Sequence, residues 1–367
     1  MKKQIYIVDY IGIHSGMHYY NSSFKSYLEE IDGLNVDVIS NYKDKGKVFF
    51  YNVYVVNKIF GFFLFLINYF RLLFKVINSK NEYFILLSYG NIVDVIFMTI
   101  TIFSKRIIID VHEVCELQLK SKIVKFMLTT LYKKSVKTLI YHSERSNELL
   151  SEIGYNKKRI YVPHFKYQFN KAFDEAKIGN DVIRNISKNK INILFFGYVT
   201  YAKGIDILLR ATNLLPENIV NKLNIIIAGK DFDGTINTVD TKYDFSIKRI
   251  LRHINDDELI YIFSHIDYVI LPYRKTSQSG ILEMAFYFKK PIIATCIKYF
   301  ERLLTQFPSF GLLMQVNERS MADVLIEVVN THENNYTNYF TEYDLYNFNS
   351  KVEIEAFIQN VREIINT

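Results

Sequence analysis

The chain has 367 residues, 49% of them apolar and 23% charged, which is more than one core usually supports and excludes a disordered or low-complexity chain. A net charge of +7 suits phosphorylated small molecules, anionic lipid or nucleic acid alike, but no nucleic-acid recognition motif accompanies it, so no nucleic-acid partner is expected. The two cysteines, Cys115 and Cys296, match neither a metal-ligand spacing nor a disulfide framework, which fits a reducing cytoplasm.

From the N-terminus, Gln4 to Asp9 is too short an apolar run for a signal-peptide core and reads as a first buried strand. Further short apolar runs near 36–39, 84–88, 106–110, 138–142 and 159–162 predict strands, with helical patterns between them. The segment Phe49 to Ile77 departs from this rhythm. Its uncharged centre, Ile59 to Phe70, lies between Lys58 and Arg71 and is too short to span a bilayer. It reads either as a buried helix or as a helix lying in the membrane interface with its cations near lipid phosphates.

From about Lys166 to Lys190 the chain is polar and lacks a strong period, as a domain boundary would be. A second series follows, with strands near 192–196, 223–228, 267–271 and 292–295 and helices starting near Gly204, Asp257, Gly280 and Ser320. An amphipathic stretch from Val352 to Ile365 predicts a last helix. The alternation of strands and helices predicts an α/β protein of two domains, 1–170 and 171–345, with 346–367 as a helix able to pack back on the first.

Four places carry candidate chemistry. The loop after the first strand, Gly12 to Tyr20, contains Gly16 and lets backbone approach a ligand, although its spacing is not a dinucleotide fingerprint. The strand ending at Asp110 delivers His112 to a carboxyl end, where open α/β sheets place ligands. His142 and His164 also follow strands and read as structural. In the second half, Gly197 to Gly204 joins a strand to a helix with Lys203 at the helix start, a place suited to a diphosphate. The fourth passage is Leu271 to Ala285. Its turn Ser277-Gln278-Ser279-Gly280 offers backbone donors to phosphate oxygens, and Glu283, a turn into the helix, could accept both hydroxyls of a ribose.

These motifs resemble the retaining GT-B-type glycosyltransferases of family 4, most clearly from about Ile193 to Ala322. Gly197, Lys203 and Gly204 match the family's phosphate loop, and Glu283-Met284-Ala285 its Glu-Ala-Met-Ala-like helix. The resemblance implies a GT-B fold, two Rossmann-like domains facing each other across a cleft. It assigns the donor diphosphate to Lys203, the ribose to Glu283 and the transferred sugar to His112 and Gly16, with Thr200, Arg274, Gln278, Ser279, Gly280 and Ile281 completing the donor side. Two positions depart from the family pattern. Lys275 stands where a glutamate is usual, and the loop before Lys203 has Tyr198 or Thr200 where an arginine is common, leaving Arg274 as its nearest replacement.

The implied reaction is transfer of a hexose from a nucleotide-diphosphate sugar, with retention and without metal or cofactor, onto a lipid-linked saccharide at the inner face of the cytoplasmic membrane during bacterial surface-glycan assembly. A sugar-nucleotide epimerase on the same scaffold, and a non-catalytic partner that keeps the fold, are the alternatives.

Overall fold

The computed structural model describes residues 3–43, 47–114, 121–166, 172–276, 278–335 and 338–366. Cys115 and Ser277 fall outside them. The chain divides into two compact units, Met1–Tyr167 with Phe348–Thr367, and Gln168–Asn347.

The first unit is one parallel sheet of strands β1 (Lys3–Val8), β2 (Leu34–Ile39), β3 (Glu82–Ser88), β4 (Ile107–Val111), β5 (Thr138–Tyr141) and β6 (Lys158–Tyr161), in the order β2-β1-β3-β4-β5-β6. β4 is buried along its whole length, as expected of a strand covered on both faces. Helices α1 (His18–Glu29), α2 (Lys58–Asn78), α3 (Ile92–Met98), α4 (Lys122–Lys134) and α5 (Glu144–Glu152) connect these strands. The core gathers Leu72 and Val76 of α2, Phe97 of α3, Leu128 and Tyr132 of α4 and the inward residues of the sheet. From the far end of the chain, Phe357 packs against Phe24 and Phe165, with ring centroids 5.7 and 5.9 Å apart.

Helix α2 is longer than its uncharged centre suggested. It runs 21 residues and is long and apolar enough, by length and composition, to cross a membrane. Arg71 and Lys75 do not interrupt it, because each cation lies over aromatic rings: Arg71 over Phe49 and Tyr51 at 4.9 Å, and Lys75 over Tyr6 at 3.9 Å.

The second unit repeats the design with β7 (Ile191–Phe196), β8 (Leu223–Ala228), β9 (Ile247–Ile250), β10 (Tyr268–Leu271), β11 (Ile292–Thr295) and β12 (Gly311–Met314), all parallel, in the order β12-β11-β10-β7-β8-β9. Its helices are α6 (Asn180–Asn185), α7 (Ile205–Asn213), α8 (Glu217–Val220), α9 (Asp256–His265), α10 (Gly280–Tyr287), α11 (Lys298–Gln306) and α12 (Glu318–Asn335), and α13 (Tyr343–Asn366) begins here. Strands β9 and β12 were not anticipated. Ile247-Lys248-Arg249-Ile250 has only two apolar residues, and Gly311 opens β12 without a side chain, so neither edge strand carries a clear pattern.

In each sheet, one adjacent pair of strands sends its connections in opposite directions: β1 and β3 in the first, β7 and β10 in the second. Open α/β sheets bind ligands at the carboxyl ends of such a pair, because the two following loops part there and leave a crevice.

Candidate functional site

In the second unit the loops after β7 and β10 meet. Beyond Gly197 the chain passes through a 3₁₀ turn, Tyr201–Lys203, and enters α7 through Gly204 at φ 70°. A Cβ at Gly204 would lie 1.9 Å from the Pro272 carbonyl oxygen, so only glycine lets this loop lie against the one after β10. The amide of Arg274 donates to the Ala202 carbonyl at 2.9 Å, which fastens the two loops together. Lys203 Nζ donates to the Tyr273 hydroxyl at 2.8 Å, with the ammonium 4.2 Å from the ring centroid. Gly197 faces Ile281, whose Cδ1 would be 3.7 Å from an added Cβ. The loop from Gly197 to Gly204 and the amino end of α10 are therefore neighbours.

Ser279 occupies the N-cap position of α10, but its hydroxyl does not cap the helix. The residue is 4% exposed and its Oγ has no hydrogen-bond partner among the described residues. A buried hydroxyl left without a partner costs about 1–3 kcal/mol, a cost that a bound acceptor oxygen would remove. Glu283, one turn on and buried, accepts from the Tyr346 hydroxyl, which is 3.4 Å from both carboxylate oxygens. Gln278 and Thr200 are half-buried beside these groups, and Lys275 is exposed.

Arg274 does something other than expected. Its two terminal nitrogens grip Asp206 of α7 at 2.7 Å each, and one also donates to the Tyr201 carbonyl at 2.6 Å. Asp206, although buried, is held below the usual carboxylate range by hydrogen bonds from Arg274 and Arg210. Arg274 thus ties the loops in place, and because Asp206 is shared with Arg210 the three side chains together keep one positive charge. Lys203 has no carboxylate at ion-pair distance among the described residues. Its charge remains uncompensated.

In the first unit, Gly16 sits at φ 71° with open space where its Cβ would be. The buried Asp9 holds the same loop, accepting from the Gly12 amide at 2.8 Å, the Tyr89 hydroxyl at 2.8 Å and Asn21 Nδ2 at 3.2 Å. His112 follows β4 as expected, but it is buried rather than opening outward by itself. Its Nε2 lies 3.3 Å from Asp110 Oδ2, which also accepts from the Tyr20 hydroxyl at 2.8 Å. The other oxygen, Oδ1, is 2.7 Å from His142 Nε2, and His142 Nδ1 faces the Val162 carbonyl at 3.1 Å. Both nitrogens of His142 therefore lie against oxygens that can accept. Sequence reading singled out His112 and missed the carboxylate two residues before it, which organises the group.

Asp110, His112 and His142 offer ligand atoms within 4.8 Å of one another and are the set of side chains among the described residues that could hold a metal ion. The 2.7 Å contact is a hydrogen bond, shorter than the roughly 3 Å separation that two ligands on one zinc ion would keep.

The cluster has a pH consequence. Burial, with His142 and His112 nearby, pushes the His164 imidazole from its ordinary 6.5 down to about 3, and burial lowers His112 as well. The folded His164 then resists a proton that the unfolded chain accepts, so stability falls as pH drops below about 6.5, by about 1.4 kcal/mol per unit for that group, and His112 acts in the same direction. Burial pushes the Asp94 carboxyl up to about 6, and between 3.8 and 6 that group works in the opposite direction. Over that range it offsets a contribution of the size of that of His164. The first unit should therefore be less protected at pH 5 than at pH 7.5, read by amide exchange of β4 and β5, and His164→Gln should reduce that difference.

Two Rossmann-like units, the second with a cation and a helix amino end at its switch point, define the class as GT-B. Residues 179–343 match the family model described as "Glycosyl transferases group 1". No curated protein matches the sequence. Among solved structures, an Anabaena protein, Alr3699/HepE, in complex with UDP and glucose, is similar at TM-score 0.66 and 12% identity over 99% of each chain. Sucrose-phosphate synthase from Thermosynechococcus elongatus gives TM-score 0.66 and 10% identity over 99% of this chain and 98% of that one. WaaG, a glycosyltransferase involved in lipopolysaccharide biosynthesis, gives 0.57 and 11% over 99% and 95%.

Proposed function

We propose that this chain is a retaining glycosyltransferase of family 4 that moves a hexose from a nucleotide-diphosphate sugar to a lipid-linked saccharide at the inner face of the bacterial cytoplasmic membrane, in surface-glycan assembly. The observation that carries the donor half is the buried, unpartnered Ser279 hydroxyl at the amino end of α10, beside the uncompensated Lys203 at the switch point. A linked pair of phosphates satisfies both, since it brings negative charge to the ammonium and acceptor oxygens to the hydroxyl and free amides. Glu283 takes the ribose hydroxyls, with Gly197, Thr200, Gln278, Gly280 and Ile281 around the nucleotide, and His112 and Gly16 belong to the transferred sugar.

In the reaction the anomeric carbon–oxygen bond to the diphosphate breaks and a bond from the same carbon to an acceptor oxygen forms on the same face. The acceptor proton ends on the departing phosphate. Lys203 and the α10 amides stabilise the charge on that leaving group, a task that needs neither metal nor cofactor. The similarity to group 1 glycosyl transferases over 179–343 supports this reading.

The test is a panel of sugar nucleotides screened by thermal shift, followed by release of nucleoside diphosphate in the presence of membrane extract. Glu283→Ala should weaken donor binding by about 10- to 150-fold, the loss of one charge-assisted hydrogen-bonding group. Binding unchanged by that substitution removes the donor site. Conversion of the sugar nucleotide without any acceptor would establish the epimerase instead.

A further inference from the structure

Helix α2 presents two apolar faces. Gly61, Asn68, Leu72 and Val76 are buried, while Phe60, Phe63, Ile67, Phe70, Phe74 and Ile77, spaced three and four residues apart, are 45 to 62% exposed. A row at that spacing lies along one side of a helix, and here no polar side chain breaks it. On its inner side Phe65 and Tyr69 pack on Phe97 of α3 at 5.5 and 5.9 Å, and Phe103, just past the 3₁₀ turn after α3, and Phe126 of α4 are further exposed aromatics of this unit. Soluble proteins seldom leave so large an apolar surface to water.

Charge indicates what covers it. Residues 47–143 hold thirteen Lys and Arg against five Asp and Glu, a greater positive excess than the +7 of the whole chain. Of the five acids, Asp94 and Asp110 are buried, Glu82 and Glu113 are half-buried, and Glu116 lies outside the described residues. Lys58, Lys105, Lys122 and Lys125 are exposed. An apolar row on a stretch of chain rich in cations and poor in exposed acids, with the exposed Lys58 at the amino end of the same helix, matches acyl chains beneath anionic headgroups.

We infer that α2 lies in the plane of a membrane of anionic lipid, its Phe60-to-Ile77 row inserted and the surrounding lysines at the phosphates. It does not span, although it is long enough. Spanning would strip Leu72 and Val76 from the core and break the two bonds that Asn68 makes with the Tyr51 backbone, at 2.8 and 2.9 Å. The inference rests on the proposed lipid-linked acceptor and names the surface that meets the lipid.

The experiment is flotation of the full chain with vesicles of phosphatidylcholine alone and of equimolar phosphatidylcholine and phosphatidylglycerol. Binding to the mixed vesicles, weakened by salt and by omitting phosphatidylglycerol, is expected. Phe63→Ser with Phe70→Ser should lower it by about tenfold per residue, and an unchanged thermal shift with the donor would show the double variant folded. No flotation, flotation indifferent to the double variant, or retention through a salt and carbonate wash overturns the inference. So does light scattering that finds a dimer dissolved by the same substitutions without lipid binding, since a second copy would then cover the row. Donor binding lost while flotation persists defeats the transferase reading alone, and the reverse result defeats this one alone.

Discussion

Lys203→Ala is expected to lower turnover of the sugar nucleotide by about 10²- to 10³-fold, the loss that follows removal of one preorganised group facing developing charge. The ammonium is placed before any ligand arrives. Tyr273, buried beside β10, receives its hydrogen bond at 2.8 Å and lies under its charge, while Gly204 fixes the loop from which it reaches. Arg274, the other cation here, is anchored on Asp206 through both of its terminal nitrogens, so it is not free to swing into the place of Lys203. Lys203 is half-exposed and carries no buried ion pair, so the fold should survive its loss. Nucleoside diphosphate release measured beside the unfolding midpoint separates the two effects. Turnover within about threefold of the parent chain, less than one lost hydrogen bond would cost, would show that the diphosphate is held elsewhere.

The parts of this site legible in the sequence are those that the chain places by itself. Gly197-to-Gly204 follows β7 directly, and Ser279, Gly280 and Glu283 lie within one turn of each other at the head of α10. Strand order was not legible. That β7 and β10 are neighbours, which brings Lys203 to α10, depends on pairing across more than seventy residues. Arg274 shows the limit of reading charge without partners, since nothing in its surroundings along the chain indicates the bidentate pairing with Asp206, sixty-eight residues away. Ser279 erred the other way: a serine before a helix normally caps it, and here the hydroxyl does not. In α2 the composition suggested both a core and an interface helix. Each description holds for one face, and only the packing separates them.

The largest effect on stability should come from Asp110. Burial favours its neutral form, yet its electrostatic contacts and hydrogen bonds with His112 and His142 hold the carboxyl well below the usual carboxylate range, so it stays ionised at any ordinary pH. Asp110→Ala would remove the carboxylate that His142, His112 and the Tyr20 hydroxyl share, all in a buried place. Breaking such a pair from one side costs about 3–5 kcal/mol. Asp110→Asn is a different case. Its amide oxygen can still accept from Tyr20, and its NH₂ can donate to His142 Nε2 in the tautomer whose Nδ1–H points at Val162, so a loss of about 1 kcal/mol is expected. Because two units need not unfold together, amide exchange along β4 and β5 is the measurement to use rather than a single melting curve. An alanine variant as well protected as the parent would mean that the network does not hold these strands. An asparagine variant as damaged as the alanine one would mean that the negative charge itself, and not the pattern of donors and acceptors, keeps His112 in place.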